Sequence, residues 1–107
     1  MAFDIVLAPQ AAKVLRNLSG HERALVKDTI DRHLRHEPTK VSKSRIKRLR
    51  GLSQPQYRLQ VGDIRVFYDV TETAVEVLAI VPKAQAQAWL AAKGTPRPGG
   101  GVGPGKG

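Results

Sequence analysis

Three basic side chains occupy positions where a small sheet could hold them near one another. Arg58 and Arg65 fall in two strand-like runs on either side of a Gly-Asp turn, and Lys83 follows the most apolar run of the chain. A guanidinium group suits phosphate because its planar fork binds two oxygens at once. Three such cations on one face could grip a phosphodiester and stabilise the negative charge that develops on it. An equal alternative is that both arginines face solvent and pair with acids such as Asp69 and Glu76.

The strands that carry the two arginines are predicted from a period of two. The runs Tyr57–Val61 and Ile64–Val70 both show this alternation. Gly62, between them, accepts the positive φ that a tight hairpin needs. The two strands should therefore pair antiparallel and carry Arg58 and Arg65 as near neighbours. Arg65 should point to solvent, so its replacement by alanine is expected to cost under ~1 kcal/mol of stability.

The remaining segments predict one small domain around this hairpin. The predicted elements are a strand at 3–7, helices at 9–18 and 19–38, strands at 57–61, 64–70 and 74–81, and a helix at 84–93. This order predicts an α+β fold, a small mainly antiparallel sheet with an N-terminal helical hairpin and a C-terminal helix, and with the helices on one side. The run Ala74–Val81 should be the central strand because it is apolar at nearly every position. Ser19 and Glu22 have the spacing of a capping box at the start of the second helix.

Two regions are less well defined by pattern. Ile46 and Leu49 lie in a basic stretch that fits either a short strand or a loop. The segment 94–107 is rich in Gly and Pro and is predicted to be disordered, which leaves 1–93 as the folded domain.

Several classes of function are disfavoured by what the sequence lacks. With no cysteine, neither disulfides nor thiolate metal sites are possible, which fits a cytoplasmic protein. No apolar run is long enough to cross a membrane, and no phosphate loop, dinucleotide fingerprint or nucleophile motif is present. His21, His33 and His36 lie on the second predicted helix without a completing set of ligands. They are predicted to be surface histidines, and neither a metal nor another cofactor is expected.

The positive charge is concentrated in one segment. Between Pro38 and Gly62 the chain has seven of its eighteen basic residues and none of its nine acidic ones, so this part supplies +7 of the net charge of +9. Such a field attracts polyanions, and nucleic acid is the leading candidate. The predicted RNA-binding residues, which we call the basic segment, are Lys40, Lys43, Arg45, Lys47, Arg48 and Arg50. The alternative is a solvated basic loop that only aids solubility.

Three stretches of this sequence resemble one protein family. RLRGL at 48–52, YRLQVGDIRVFYDV at 57–70 and VLAIVPK at 77–83 are similar to the RelE/ParE superfamily of toxins from bacterial type II toxin–antitoxin pairs. The resemblance covers the chain from Phe3 to Lys93. It implies a compact domain of helices and sheet whose RelE-like members cut messenger RNA in the ribosomal A site. It also implies a cognate antitoxin, and contact with DNA only through that antitoxin. Catalysis would need no metal, because basic residues promote attack by the 2′-hydroxyl.

When the site positions of the family are matched to this sequence, the resemblance implies catalytic roles for Arg58, Arg65 and Lys83. They match a basic residue of the second strand, the arginine of the third and the lysine that follows the fourth. The positions that depart from the family pattern are Gln60, Ala84 and Leu90, in place of a lysine, an arginine and a tyrosine. With these groups missing, weak or altered cleavage is expected. Two alternatives stay open: a ParE-like toxin that inhibits DNA gyrase, and a member that only binds RNA or its antitoxin.

Overall fold

The computed structural model of the protein describes residues 2–98. In chain order its elements are β1 (Asp4–Leu7), α1 (Pro9–Asn17), α2 (Gly20–Leu34), β2 (Ile46–Arg48), β3 (Leu52–Gln54), β4 (Tyr57–Val61), β5 (Ile64–Val70), β6 (Ala74–Pro82), α3 (Lys83–Lys93) and β7 (Thr95–Pro96). The main sheet has the order β1-β6-β5-β4-β2, with β1 parallel to β6 and every other pair antiparallel. Strands β3 and β7 form a separate antiparallel pair. The predicted α+β fold is confirmed.

The hairpin of β4 and β5 has the geometry that the sequence predicts. Its register places Arg58 opposite Phe67 and Gln60 opposite Arg65, so these four side chains lie on one face of the sheet. At the turn, Gly62 has a φ of +55°, which a residue with a Cβ adopts only with strain. The turn glycine therefore helps to fix the register that brings the two arginines to the same face.

Helices α1 and α2 cover the opposite face of the sheet. The residues they bury are Ala11, Leu15, Val26, Thr29, Ile30 and Leu34. Ser19 caps α2, since its Oγ accepts a hydrogen bond from the Glu22 backbone N at 3.2 Å. Of the two neighbouring candidates for the buried stripe of α2, Val26 is fully buried, whereas Leu25 is 47% exposed.

Helix α3 lies on the other face of the sheet, so the prediction that all helices share one side is wrong. The sheet residues beneath it are Phe67, Ala79 and Val81, all buried. The Trp89 ring stacks on Phe67 with ring centroids 5.1 Å apart and planes 8° from parallel. The physical reason is that β5 and β6 carry apolar residues on both faces, and each face needs its own cover.

The middle strand of the sheet is β5 rather than β6. β5 lies between β4 and β6, and six of its seven residues are buried. β6 is the next strand along and exposes Glu76. The prediction was based on apolar content. Because β5 also buries two charged residues, Arg65 and Asp69, its sequence does not look like that of a central strand.

A strand and a side chain cover the outer edge of β6. Strand β1 pairs with residues 74–77. Beyond β1, the side-chain amide of Gln10 takes over the pairing: its Nε2 donates to Ile80 O at 3.3 Å, and its Oε1 accepts from Ile80 N at 3.0 Å. The first turn of α1 is thereby fixed to the sheet.

Two short segments are more regular than the sequence indicates. Ile46–Arg48 forms the edge strand β2 with Ile46 buried, while Leu49 packs on the opposite face of the sheet. The Gly- and Pro-rich composition from Gly94 onward predicts disorder, but Thr95–Pro96 pairs with β3. Pairing with a distant part of the chain gives order that local composition does not reveal. The rest of the predicted tail, 99–107, lies outside the described residues.

The contrast between Val26 and Leu25 tests the packing of α2. Val26→Ala empties a fully buried position and should lower the free energy of unfolding by about 2 kcal/mol. Leu25→Ala, on the same helix, truncates an exposed side chain and should change it by less than about 0.5 kcal/mol. Urea unfolding followed by circular dichroism measures both variants. Equal losses would contradict this orientation of the helix.

Candidate functional site

The face of the sheet beneath α3 carries the predicted catalytic residues at adjoining positions. Lys47 of β2 faces Arg58 of β4, and Arg65 of β5 lies diagonally across from Arg58. Lys83 is the first residue of α3, and its backbone N donates to Asp63 O at 2.7 Å. That bond ties the start of α3 to the β4–β5 turn, so the lysine begins the helix that covers the arginines.

Arg58, Arg65 and Lys83 line a single cleft of about 280 Å³ between α3 and the sheet. The other lining residues are Leu49, Phe67, Ala86, Gln87 and Leu90. None of the lining residues is acidic, and apart from Gln87 the rest are apolar. Charges in such surroundings are screened less by water than charges on an open surface. The structure therefore brings the three cations together at a place suited to an anion, while their catalytic role stays a prediction.

Arg65 is buried, which corrects the expectation that it faces solvent. Its exposed fraction is 6%. Its Nη1 donates to the backbone oxygens of Gly62 at 2.7 Å and Ile64 at 3.1 Å. One edge of the guanidinium therefore braces the β4–β5 turn. The alternation of the strand indicates which face Arg65 lies on, but it does not reveal that α3 covers that face.

Arg58 lies beside a second positive charge. The pKa of Arg58 is lowered from its ordinary value, first by burial and then by the charge of Arg65. Its Nη2 donates to Gln60 Oε1 at 3.5 Å, and its Nε is buried without a partner in the structure. A bound anion would relieve the repulsion between the two guanidinium groups.

The alternative in which these arginines pair with acids does not hold among the described residues. The ion pairs within residues 2–98 are Arg32–Asp28, Arg35–Asp31 and Lys40–Glu37, all on α2 or the turn that follows it. The Asp69 carboxylate instead accepts hydrogen bonds from Gln54 Nε2 at 2.6 Å and from Gln56 N at 2.8 Å. This buried acid fixes the loop between β3 and β4, a role for which the sequence gives no signal.

The basic segment does not form one surface. Lys47 lies on the cleft face, opposite Arg58. Arg48 points to the other face, where its Cζ lies 5.0 Å from the centroid of the Tyr57 ring. Neighbouring residues of a strand point to opposite sides of the sheet, so β2 divides the charge of the segment between both faces.

The other members of the basic segment are not among the residues that line the cleft. Lys43 and Arg50 are exposed. A second cleft, of about 320 Å³, has as its lining residues His33, Glu37, Lys40, Ser42, Ser44, Arg45 and Ile46. Lys40 Nζ lies 3.7 Å from Glu37 Oε2, so part of the charge in this second cleft is already paired.

The histidines are separate from the cleft beneath α3. His21 and His36 are exposed, and His33 is half-buried. The pKa of His33 is lowered, first by burial and then by the charges of Arg45 and Arg32, against an opposing effect of Asp28. Within residues 2–98, no three His, Cys, Asp or Glu side chains are grouped as a metal ion would require. No described helix is both long and apolar enough to cross a membrane.

Solved structures with a similar fold are RelE toxins. The archaeal RelE–RelB complex from Pyrococcus horikoshii OT3 matches with a TM-score of 0.65 and 25% identity, over 79% of this chain and 99% of that chain. The RelBE2 toxin–antitoxin complex from Mycobacterium tuberculosis matches with a TM-score of 0.60 and 21% identity, over 77% and 99%. A mutant of the E. coli toxin RelE in the free state matches with a TM-score of 0.53 and 21% identity, over 85% and 93%. No family model and no curated protein matches this sequence.

The chain therefore has the RelE toxin fold, and the resemblance seen in its strands is confirmed at that level. A fold does not by itself determine the chemistry of a cleft. Four cleft residues, Leu49, Phe67, Ala86 and Gln87, are not predicted as part of a site. For Ala86 and Gln87 the reason is that the face of α3 that contacts the sheet cannot be inferred from its alanine-rich sequence.

The burial of Arg65 changes the expected effect of its removal. Arg65→Ala takes a donor from the oxygens of Gly62 and Ile64 and should lower the free energy of unfolding by about 1–3 kcal/mol. The matched control is Lys47→Ala, an exposed residue on the same face, which should change it by less than about 0.5 kcal/mol. Thermal and urea unfolding measure both. An Arg65→Ala protein as stable as the wild type would show that the bonds to the turn contribute nothing.

The charge near His33 predicts a pH effect. The pKa of His33, measured by NMR, should lie below the ordinary histidine value of 6.5. Arg45→Gln should raise this pKa, because a repelling charge is lost. The unfolded chain binds the proton more readily, so acidification below pH 6.5 should lower stability, and less so in Arg45→Gln. Lys43→Gln removes an exposed charge of the same segment and should leave the pKa of His33 in place. An unchanged pKa in Arg45→Gln would contradict the interaction.

Proposed function

We propose that this protein is the toxin of a type II toxin–antitoxin pair and that it cleaves messenger RNA on the ribosome in the cytoplasm. The observation that carries the proposal is the cleft in which Arg58, Arg65 and Lys83 converge with no acidic residue among its lining. The RelE toxin fold supports the class of protein. Messenger RNA supplies phosphodiester anions of the kind that guanidinium and ammonium groups bind.

In the proposed reaction, the 2′-hydroxyl of one nucleotide attacks the adjacent phosphorus. A bond from O2′ to phosphorus forms, the bond from phosphorus to O5′ breaks, the O2′ proton passes to solvent, and the departing O5′ takes up a proton. Arg58 and Arg65 would stabilise the negative charge on the phosphoryl oxygens in the transition state. Arginine is a poor proton donor or acceptor because its pKa is too high. Lys83, exposed at the start of α3, is the better candidate to protonate O5′.

The groups that are missing limit the expected rate. Leu90 lines the cleft where the family pattern has a tyrosine, and Gln60 lies opposite Arg65 where that pattern has a second lysine. Neither leucine nor glutamine can accept the O2′ proton as a general base. We therefore expect slow cleavage that depends on charge stabilisation and on positioning by the ribosome.

The missing base also favours a second candidate function. A toxin that binds DNA gyrase would need no proton acceptor in the cleft, and its effect would come from binding alone. In both cases a small antitoxin with an acidic segment is the proposed partner, because carboxylates can pair with Arg58 and Lys83 and block the cleft. The fold neighbours include structures of a toxin with its antitoxin, such as RelE with RelB and the RelBE2 complex.

Message cleavage in cells tests the first function. After induction, primer extension across abundant messages should map cuts at a fixed position within codons. Arg58→Ala should reduce these cuts by at least ~10²-fold, because a contact to the transition-state charge is lost. Arg58→Lys should restore cleavage only in part, because it keeps the charge but loses the fork. Arg58 is a cleaner test than Arg65, which also braces the turn.

The control is Lys13→Ala, an exposed change on α1 outside both the cleft and the basic segment, which should cut like the wild type. Full cleavage by a folded Arg58→Ala protein would remove Arg58 from the reaction. Growth arrest without cuts, together with loss of supercoiling by purified gyrase, would overturn the cleavage proposal and establish the second function.

A further inference from the structure

A stack of three side chains leads from the core to the surface on the α1–α2 face of the sheet. Tyr68 of β5 is fully buried, and its hydroxyl donates to Pro38 O at 2.6 Å. Tyr57 of β4 stacks on Tyr68, with centroids 5.5 Å apart and planes 16° from parallel. Arg48 of β2 lies over the Tyr57 ring, with its Cζ 5.0 Å from the centroid. We call Tyr68, Tyr57 and Arg48 the stacked column.

The sheet register fixes the order of the stacked column. Arg48 is paired with Tyr57, and Tyr57 with Tyr68, so the arginine lies on the side of Tyr57 that is away from Tyr68. Arg48 Nη1 donates to Gln56 O at 3.0 Å, which holds the guanidinium in place. Because β2 is an edge strand and Arg48 is exposed, this guanidinium is the outermost layer. None of the ion pairs within residues 2–98 involves it.

The fixed guanidinium plane of Arg48 suits a different part of a ligand from the part that the cleft suits. A point charge such as Lys47 is sufficient to attract phosphate, and it needs no plane. A guanidinium is flat and weakly hydrated on its faces, and unpaired RNA bases stack on such planes as they do on aromatic rings. Because the hydrogen bond and the two tyrosines already hold Arg48, little further side-chain entropy is lost when a base is added.

The geometry points to a second RNA contact, in which Arg48 at the end of the stacked column stacks against an unpaired nucleobase of the strand held in the Arg58 cleft. This inference rests on the proposed function, because it takes single-stranded RNA as the ligand. The position of β2 supports it: Lys47 faces the cleft and Arg48 the opposite side. An RNA strand that crosses this edge would meet a charge for its phosphate on one face and a plane for its base on the other.

Binding of two RNA strands separates base stacking from charge. One is a labelled oligoadenylate, and the other is an abasic strand with the same number of phosphates. Both carry 2′-O-methyl groups, so neither can be cleaved. Arg48→Lys keeps the charge but loses the plane, and its affinity for oligoadenylate, measured by fluorescence anisotropy, should fall by at least ~5-fold. Its affinity for the abasic strand should stay unchanged.

Two further variants complete the design. Arg50→Lys makes the same exchange at an exposed position of the same segment and should affect both strands equally. Tyr57→Leu removes the supporting ring and should reproduce the base-selective loss, and circular dichroism checks that each variant is folded. Equal loss on both strands for Arg48→Lys would show that Arg48 contributes charge alone and overturn the inference. No loss on either strand, with normal wild-type binding, would overturn the inference and leave the proposed function intact. A wild type that binds neither strand would also overturn the inference, whereas the proposed function, which depends on the ribosome, is decided by the cleavage assay in cells.

Discussion

The structure depends on the burial of β5 from both faces. Its alternate residues pack under α1 and α2 on one side, and Phe67 requires a separate cover on the other. That cover is α3, which has no fully buried residue of its own and contacts the sheet through Trp89 on Phe67. Between this helix and the sheet a cleft remains, lined in part by Arg58, Arg65 and Lys83. The same packing that completes the core therefore creates the candidate site.

Among residues 2–98, ion pairs and the cleft occupy different parts of the molecule. The described ion pairs lie on α2 and the turn after it, whereas none involves Arg58 or Arg65. Holding two guanidinium groups together and partly out of water is unfavourable. A polyanion in the cleft would offset that cost and stabilise the folded chain by mass action.

Features of this fold that depend on residues close together in sequence could be predicted, whereas features that depend on distant residues could not. The β4–β5 hairpin and the cap at Ser19 could be predicted because each depends on a period or spacing of a few residues. The side of the sheet that α3 covers could not, because alternation separates two faces without revealing what packs on either. For the same reason the sequence predicts Arg58 and Arg65 as near neighbours but does not reveal the burial of Arg65. Likewise β7 exists only through pairing with a strand far earlier in the chain.

The amide of Gln10 has a consequence for solubility. The outer edge of β6 extends beyond the residues that β1 pairs, and an open strand edge can recruit a strand from another molecule. The Gln10 amide occupies both backbone groups of Ile80. Because this amide is a helix side chain and not a strand, no further strand can pair with the edge at that point. This closed edge therefore lowers the chance that two copies of the chain aggregate through their sheets.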